Sequence, residues 1–286
     1  MRIAFFCNAL DSSSALFNIF SHVCARLRRN EGAVLHRDSA NWHLSSAKYD
    51  LLVYDSAFCL ALVHSKLGRP EKYRHVVLHH IYESVSQRTT KEGWLKSCAP
   101  DLVITTFSGM ADDVHEHLGL RAEVIPFSFD TARFTHLPYP DTFTVGYLGA
   151  DKSHKGFDQV DAACKTLNIP CVGARRTSHE DGPYARREPD FYRQISCYAA
   201  IPSHESGPLP PIEAQLCGRP AVVSPVGMMP YIFSLGAGGA LAEAEDSLVA
   251  GLVAVRDNFE EHARKAREFT LPDTSEQYES AFERVL

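Results

Sequence analysis

Short apolar runs that alternate with helical patterns constrain this chain more than any other feature. Ten runs are rich in β-branched and aromatic residues and are bounded by turn residues, which predicts strands. They are residues 2–8, 49–56, 75–80, 101–107, 122–127, 143–150, 169–174, 197–203, 219–225 and 239–244. Apolar strands separated by helices are typical of parallel sheets covered on both faces. We therefore expect an α/β protein with doubly wound sheets.

A stretch with two prolines and polar flanks, THLPYPD at 135–141, divides the ten predicted strands into two sets of five. Proline-rich polar stretches are typical of linkers. A length of 286 residues also fits two domains, because about 150 residues per domain is usual. We place the domain boundary between residues 138 and 139.

Composition excludes several classes of protein. The chain is 45% hydrophobic and 22% charged with a formal net charge of −6, which is ordinary for a globular protein and gives no polyanion-binding footprint. No apolar run approaches the roughly 20 residues that span a bilayer, and the first residues predict a strand rather than a signal peptide. None of the eight cysteines forms a CxxC pair. We therefore expect buried free thiols, no metal site and a cytoplasmic location, with peripheral membrane association left open.

Polar residues follow the predicted strands, where open α/β sheets bind their ligands. In the first half these residues are Asn8, His79, Thr106 and Ser108; in the second they are 151–155, Arg175, Arg176, 204–207 and Ser224.

The segment GADKSHKG, residues 149–156, follows one predicted strand and opens a predicted helix. A helix N-terminus beside Lys152 and Lys155 favours a phosphate-like ligand. The residue order of a P-loop is missing. A lysine-rich surface turn would explain the segment equally well, so both interpretations stay open.

The segment SHESGPLPPIEA, residues 203–214, contains two glutamates on a loop and the helix after it. We predict that the helix begins near Pro210 or Pro211, because proline is tolerated in a first turn. Glu205 and Glu213 could then face one crevice at different depths. Taken alone, a solvated loop residue and a glutamate stabilised by the helix dipole are the favoured explanations.

Three other chemistries fit poorly. A GxSxG nucleophile elbow around Ser206 is missing, since His204 and Pro208 occupy the glycine positions. No GxGxxG follows the first strand, which argues against a dinucleotide-dependent dehydrogenase. A glycosidase pair of Glu205 and Glu213 ranks low, because that chemistry needs neither the lysine turn nor two domains.

The segment ESGPLPPIEAQLCGRPAV, from Glu205 to Val222, carries a family resemblance. It resembles E-G-F-G-L-P-x-x-E-A-x-x-x-G-x-P-V-V, the hallmark of glycosyltransferase family four, which contains retaining nucleotide-sugar glycosyltransferases of the GT-B fold. The spacing of the two glutamates, Leu209-Pro210, Glu213-Ala214 and Gly218-x-Pro220 all match.

Further matches extend the resemblance over most of residues 75–286. Residues 124–134, VIPFSFDTARF, resemble the family's V-I-P-N-G-V-D-x-x-x-F connector, and Lys155-Gly156 resembles its phosphate-binding Lys-Gly. His79 resembles a histidine that follows a strand of the family's N-terminal domain, and Gly173 resembles the glycine at the end of its I-V-G strand. Residues 269–286 resemble the family's last helix.

Four departures bear on the donor and its site. Ala150 stands where the family usually has an arginine, and Pro208 removes a backbone donor. Tyr231 replaces a glutamate, and the N-terminal domain is short and lacks the glycine-rich first loop.

The resemblance implies transfer of a sugar from a UDP- or GDP-sugar to an acceptor hydroxyl, with retention and without a cofactor or essential metal. The absence of a D-x-D triplet agrees with this. It also implies two Rossmann-like domains facing a cleft: an acceptor-side domain, residues 1–138, with a helix at 271–286 that crosses back to it, and a donor-binding domain, residues 139–270.

The resemblance also assigns roles to individual residues. Lys155 would bind the diphosphate, assisted by Lys152 or Arg175. Glu213 would bind the ribose. The donor sugar would contact Glu205, His79 and a loop set made of Ser206, Gly207 and Leu209.

Two alternatives stay open: a catalytically impaired nucleotide-sugar or glycan-binding protein, and a GT-B epimerase or phosphorylase-like enzyme. The acceptor could be a glycan, a lipid carrier, a protein, a small metabolite or a modified nucleic-acid base. Its recognition would depend on the loops at 8–14, 36–43 and 82–91, where the resemblance is weakest.

Overall fold

The computed structural model describes residues 1–7, 15–36, 38, 49–67, 73–78, 85–150, 152–176 and 190–286. The chain forms two compact units. The first contains Met1–Asp130 and Pro272–Leu286, and the second contains Thr131–Leu271. Each unit is built around one parallel sheet, as the alternation of strands and helices predicts.

The first unit contains a six-stranded parallel sheet in the order β2-β1-β3-β4-β5-β6. Its elements in chain order are β1 (Arg2–Cys7), α1 (Ala15–Arg26), β2 (Glu31–His36), β3 (Leu51–Tyr54), α2 (Ala57–Leu67), β4 (Arg74–Leu78), α3 (Val85–Cys98), β5 (Leu102–Thr105), α4 (Ser108–Leu118) and β6 (Ala122–Val124). The central strands are buried on both faces, which explains their almost continuous apolar sequences.

The second unit contains a five-stranded parallel sheet in the order β11-β10-β9-β7-β8. Its elements are β7 (Val145–Ala150), a 3₁₀ turn (Ser153–Lys155), α5 (Phe157–Leu167), β8 (Cys171–Arg176), β9 (Cys197–Ala200), α6 (Leu209–Leu216), β10 (Ala221–Val223), α7 (Met229–Ser234), β11 (Gly239–Leu241), α8 (Glu245–Asp257) and α9 (Phe259–Glu268). The last helix of the chain, α10 (Ser275–Val285), belongs to the first unit.

All ten predicted strands are present, but β2 was not predicted. It lies at the edge of the first sheet beside β1, and most of its residues are exposed or half-buried, so its sequence lacks a continuous apolar run. Gly32 within it packs closely against α1, since a Cβ there would lie 2.7 Å from Cys24 Sγ. Glycine weakens the strand signal, and here it permits this close packing.

Helix α10 is held on α1 by ion pairs and hydrogen bonds. The buried Glu279 carboxylate accepts hydrogen bonds from the Arg29 amide at 2.8 Å and from Asn30 Nδ2 at 2.8 Å. Burial opposes ionisation of Glu279, but these hydrogen bonds hold its pKa below the ordinary value. Arg26 pairs with Asp273 at 3.1 Å. The basic residues at the end of α1 therefore bind the returning helix.

The eight cysteines are all described, and none of them forms a disulfide. Six are buried, whereas Cys24 and Cys171 are half-buried. This agrees with the free thiols that the sequence predicts. Among the helices of the described residues, none is long and apolar enough to cross a membrane.

Arg219 explains why residues 131–138 group with the second unit. Its side chain is fully buried, and it donates to the carbonyl oxygens of Leu137 at 3.0 Å and Pro138 at 2.6 Å. Its guanidinium carbon also lies 4.3 Å from the centre of the Tyr139 ring. A buried guanidinium needs acceptors for its donors, and this stretch supplies two of them. The division of the chain therefore falls between residues 130 and 131, before the boundary placed at 138–139.

Candidate active site

The order of strands in the second sheet has a switch point between β7 and β9, where successive connections change the side of the sheet towards which they run. The chain leaves β7 through α5 towards β8, at one edge of the sheet, whereas it leaves β9 through α6 towards β10 on the opposite side. The connections that follow β7 and β9 therefore lead to opposite sides of the sheet, although the two strands are paired neighbours. Ligands of open α/β sheets bind at such a switch point, beyond the carboxyl ends of the strands. The two motifs that the sequence singles out lie on these two loops.

The two loops contact each other through their backbones. The amide of Ser203 donates to the carbonyl oxygen of His154 at 2.9 Å. Gly156 has a φ of +69°, and a Cβ on it would lie 2.5 Å from the carbonyl oxygen of Ile201. Position 156 therefore needs glycine for both its conformation and its close approach to the other loop.

Lys155 and Glu205 form an ion pair between these loops. Lys155 is the last residue of the 3₁₀ turn after β7, and Glu205 lies in the loop between β9 and α6. Their side chains are 24% and 17% exposed. The pair therefore lies at the switch point with limited access to water, and Glu205 is not the solvated loop residue that its local sequence favoured.

A third loop supports the backbone of Glu205 and Ser206. Gly227, between β10 and α7, has a φ of +56°, and a Cβ on it would lie 2.3 Å from the Ser206 carbonyl oxygen. The amide of Met228 donates to that same oxygen at 3.0 Å. Gly227 is not among the site residues predicted from the sequence, although a glycine in a strand-to-helix loop is a signal for close backbone approach.

Helix α6 begins at Leu209, with Pro208 as its N-cap and prolines in its first turn. The predicted start near Pro210 or Pro211 is therefore correct to within two residues. Proline is tolerated there because the first N–H groups of a helix have no intrahelical partner. The same prolines leave this helix N-terminus with fewer amide donors for an anion, since proline has no N–H.

Glu213 lies on α6 and is 2% exposed. Its Oε2 atom accepts a hydrogen bond from the Tyr192 hydroxyl at 2.7 Å, and its Oε1 atom lies 3.9 Å from Arg133 Nη2. Burial raises the pKa of Glu213 to about 7, although Tyr192 and Arg133 oppose the shift. It is the fifth residue of the helix, and the helix dipole acts mainly within the first turn. The dipole therefore does not explain this glutamate.

Arg175 is engaged in a cluster on the α5 side of the sheet. Its guanidinium donates to the Tyr147 hydroxyl at 3.1 Å and to Asp161 at 2.8 Å, and it lies 2.8 Å from Asp158. The hydrogen bonds that it donates to Tyr147 and Asp158 raise its pKa. Its charge is therefore shared with two carboxylates, and its role in donor binding stays a prediction.

Two histidines stack beside the ion pair. The rings of His154 and His204 are nearly parallel, with centroids 4.4 Å apart and an interplanar angle of 25°. Ser203 Oγ lies 2.9 Å from His204 Nδ1. Both histidines belong to the two predicted ligand-binding segments, residues 149–156 and 203–214, but neither had a predicted role.

The structure thus gathers most of the predicted site residues in the second unit. Lys155 and Glu205 contact each other. Ser206 and Gly207 lie on the same loop as Glu205, and Leu209 is the first residue of α6. Lys152 precedes the 3₁₀ turn as an exposed residue. Asn8 and His79 lie outside the described residues. Tyr192 and Arg133, the partners of Glu213, gave no signal in the sequence, because only tertiary folding brings them to α6.

No protein-family model matches the sequence, and a search of curated proteins finds no match. Solved structures do match. Sucrose-phosphate synthase (tll1590) from Thermosynechococcus elongatus has a TM-score of 0.75 at 11% identity, over 100% of this chain and 99% of that chain. The catalytic domain of starch synthase IV from Arabidopsis thaliana has a TM-score of 0.76 at 11% identity, over 99% of each chain.

A third match is Anabaena Alr3699/HepE in complex with UDP-glucose, with a TM-score of 0.67 at 15% identity over 99% of this chain and 95% of that chain. Sequence identity this low supports a statement about fold alone. Together with the two parallel-sheet units and the helix that returns to the first of them, these matches show a GT-B fold.

Proposed function

We propose that this chain is a retaining glycosyltransferase that moves a sugar from a UDP- or GDP-sugar to an acceptor hydroxyl without an essential metal. One observation carries the proposal: Lys155 and Glu205 pair at the switch point of the second sheet, and Glu213 lies on the helix that follows Glu205. A cation for a diphosphate and two carboxylates for hydroxyl groups are what a nucleotide-sugar requires.

The structural matches support a nucleoside diphosphate as part of the donor. HepE was solved in complex with UDP-glucose, and starch synthase IV was solved bound to ADP and acarbose. Because these proteins differ in nucleotide, the experiments below include ADP-sugars beside the proposed UDP- and GDP-sugars.

Lys155 is the proposed cation for the diphosphate, with Lys152 or Arg175 assisting. A side-chain cation matters here because the first turn of α6 contains prolines, which donate no backbone hydrogen bonds. In this arrangement Lys155 exchanges the Glu205 carboxylate for a phosphate oxygen when the donor binds. Glu205 is then released to accept hydrogen bonds from the donor sugar, beside Ser206 and the amides of Gly207 and Leu209.

Glu213 is the proposed ligand of the ribose hydroxyls. Its Oε2 atom already accepts a hydrogen bond from Tyr192, and its Oε1 atom lies near Arg133. In this proposal the remaining acceptor capacity of the carboxylate binds the ribose. A pKa of about 7 means that the ionised, acceptor-only form of Glu213 gains population as the pH rises above neutrality. Nucleoside recognition through this residue should therefore strengthen between pH 6 and pH 8.

The proposed chemistry needs no protein nucleophile. The bond between the anomeric carbon and the diphosphate oxygen breaks, and the acceptor oxygen forms the new bond on the same face. The acceptor proton passes to the departing phosphate oxygen. Lys155 stabilises the negative charge that develops on the leaving group, and this kind of positioned charge is worth several kcal/mol in a water-poor site. The role of His79 towards the donor sugar stays a prediction.

The test is to incubate the protein with UDP-, GDP- and ADP-sugars in EDTA and to follow release of the nucleoside diphosphate. Water serves as the acceptor, and NMR recorded within the first minutes identifies the anomer before it mutarotates. Metal-independent release of the retained anomer supports the proposal, with Lys155→Ala much slower than wild type and Lys165→Ala, an exposed lysine on α5, unchanged.

Other outcomes contradict specific parts of the proposal. An inverted anomer excludes the retaining mechanism, and release that requires magnesium excludes metal independence. An epimerised nucleotide-sugar identifies the epimerase alternative. Binding without any release, even with a panel of acceptors, identifies the nucleotide-sugar-binding alternative.

A further inference from the structure

The stacked imidazoles of His154 and His204 lie at the switch point, directly before Lys155 and Glu205 in sequence. His154 is part of the 3₁₀ turn after β7, and His204 is on the loop after β9. The backbone hydrogen bond from Ser203 to His154 joins the two loops at this point. The ring pair is therefore built into the same two loops as the Lys155–Glu205 ion pair.

The ring of His204 is held on two sides. One face stacks on His154 at a centroid distance of 4.4 Å, and Nδ1 lies 2.9 Å from Ser203 Oγ. When the Ser203 hydroxyl donates to Nδ1, the neutral ring carries its proton on Nε2. These contacts fix both the plane of the ring and the direction of the Nε2–H bond.

His204 Nε2 is buried, and it has no hydrogen-bond partner within the part of the chain that the structure describes. A buried polar atom without a partner destabilises the folded state, so native structures seldom contain one. An anionic ligand oxygen would satisfy this donor. The neighbouring Lys155 is a cation, which also favours a negatively charged ligand.

The residues already assigned to the proposed diphosphate site supply few hydrogen-bond donors, so a further donor would contribute to binding. Ala150 stands at the position where the resemblance leads one to expect arginine, Arg175 is shared with Asp158 and Asp161, and the first turn of α6 is rich in proline. Each of these features removes or diverts a donor that a diphosphate could use.

We infer that His204 is a further donor-binding residue, whose Nε2–H binds a phosphate oxygen of the nucleoside diphosphate while His154 and Ser203 hold the ring in place. The inference rests on the proposed function and deepens it, because it names a phosphate ligand of the same site. It assigns His204 a role in the strength of diphosphate binding and gives it none in nucleoside recognition.

The test compares the affinities of wild type and three variants for a nucleoside diphosphate and for its nucleoside. The probes are UDP, GDP or ADP, whichever the wild type binds, by calorimetry, and uridine, guanosine or adenosine by competition. His204→Phe keeps a flat ring for stacking but removes both nitrogens. We expect it to lose about tenfold in diphosphate affinity, as for one hydrogen bond to a charged group, and to keep its nucleoside affinity.

The second and third variants separate the two ring nitrogens. His204→Gln can place an amide N–H near the position of Nε2 and should retain most of the diphosphate affinity. His204→Asn mimics Nδ1 alone and should lose diphosphate affinity as His204→Phe does. The comparison of His204→Gln with His204→Asn tests the inference even if His204→Phe does not fold. His136→Phe, an exposed histidine of the same unit, is the matched control and should bind as wild type does.

Two results would overturn the inference while leaving the proposed function intact. In the first, His204→Phe and His204→Asn bind the diphosphate as tightly as wild type. In the second, the variants lose nucleoside and diphosphate affinity equally, which would indicate a general distortion of the loop. If the wild type binds no nucleoside diphosphate at all, the proposed function is wrong and the inference fails with it.

Discussion

Lys155 and Glu205 form an ion pair that joins the loops following β7 and β9, the two strands on either side of the switch point of the second sheet. The proposed function gives the two side chains different ligands: the diphosphate for Lys155 and the donor sugar for Glu205. Donor binding must therefore separate the pair. This exchange makes the two residues respond differently to substitution.

We predict that Lys155→Ala weakens binding of the nucleoside diphosphate and that Glu205→Gln does not. Lys155→Ala removes the main cation and should weaken binding at least about tenfold. Glu205→Gln removes a carboxylate that competes for Lys155 and repels phosphate, so binding should be unchanged or tighter. Glu205→Gln should instead remove the extra affinity that the nucleotide-sugar has over the free diphosphate.

Calorimetry with diphosphate and nucleotide-sugar measures both effects, and Lys165→Ala controls for loss of a positive charge on α5. If Glu205→Gln weakens diphosphate binding as much as Lys155→Ala does, the two side chains share a structural role and the assignment of separate ligands is wrong.

Gly227→Ala tests the support beneath Glu205 and Ser206. A Cβ at this position would lie 2.3 Å from the Ser206 carbonyl oxygen, so the loop that carries both residues must move. Displacement of about 1 Å can cost a hundredfold in activity, and we expect turnover and donor affinity to fall sharply.

The matched control is Gly236→Ala. Gly236 also has a positive φ, of +92°, but nothing lies within 4 Å of its Cβ position. Both substitutions should cost roughly 1–2 kcal/mol of stability from backbone strain, and thermal melts measure that shared cost. Equal loss of donor binding in both variants would show that strain, rather than displacement of the Glu205 loop, is responsible.

Glu213→Gln should change how stability depends on pH. Burial raises the folded-state pKa of Glu213 to about 7, whereas the unfolded chain has the ordinary glutamate value. The folded protein therefore binds the proton more tightly, and its free energy of unfolding falls as pH rises from about 4.5 to about 7. Glutamine does not titrate, so the variant should gain up to about 3 kcal/mol relative to wild type across this window.

Urea unfolding at pH 4.5, 6 and 8 measures this difference, which should be complete by pH 8. A difference between the two proteins that stays constant with pH would show that Glu213 titrates in the folded protein as it does in the unfolded chain. The same variant should also weaken nucleoside binding if the ribose assignment is correct.

Lys152 and Arg175 are the two candidates for a second cation. Lys152 is exposed before the 3₁₀ turn, whereas Arg175 is shared with Asp158 and Asp161. We expect Lys152→Ala to weaken diphosphate binding several-fold more than Arg175→Ala does, because Lys152 borders the 3₁₀ turn that contains Lys155, whereas Arg175 is on β8. The reverse order in calorimetry would assign the assisting role to Arg175.

The sequence was sufficient to predict the fold wherever apolar patterns are continuous. The central strands β1, β3 and β9 are buried on both faces, and their runs are recognisable without a structure. Edge strand β2 escaped prediction because half-exposed residues and Gly32 dilute its pattern. A linker was placed at 135–141 from its prolines, but the burial of Arg219 against Leu137 and Pro138 depends on tertiary structure.

The sequence was sufficient to predict which loops form the candidate site, but not which of their side chains contact each other. Because Lys155 and Glu205 each follow a predicted strand, both could be placed at the carboxyl edge of the second sheet. Only the structure shows that they form an ion pair. Tyr192 and Arg133 reach Glu213 from distant segments, so no local pattern reveals them. The stacked rings of His154 and His204 were likewise invisible, because stacking depends on how the two loops meet.

The central claim is that the switch point of the second sheet binds a nucleoside diphosphate through Lys155. The most direct measurement is a thermal-shift panel of UDP, GDP, ADP and CDP in EDTA, on wild type and on Lys155→Ala. We predict that at least one nucleotide stabilises the wild type, by about 2.7 kcal/mol at a hundredfold excess over Kd, and that Lys155→Ala loses most of this effect. No shift with any nucleotide, or an equal shift in the variant, would contradict the claim.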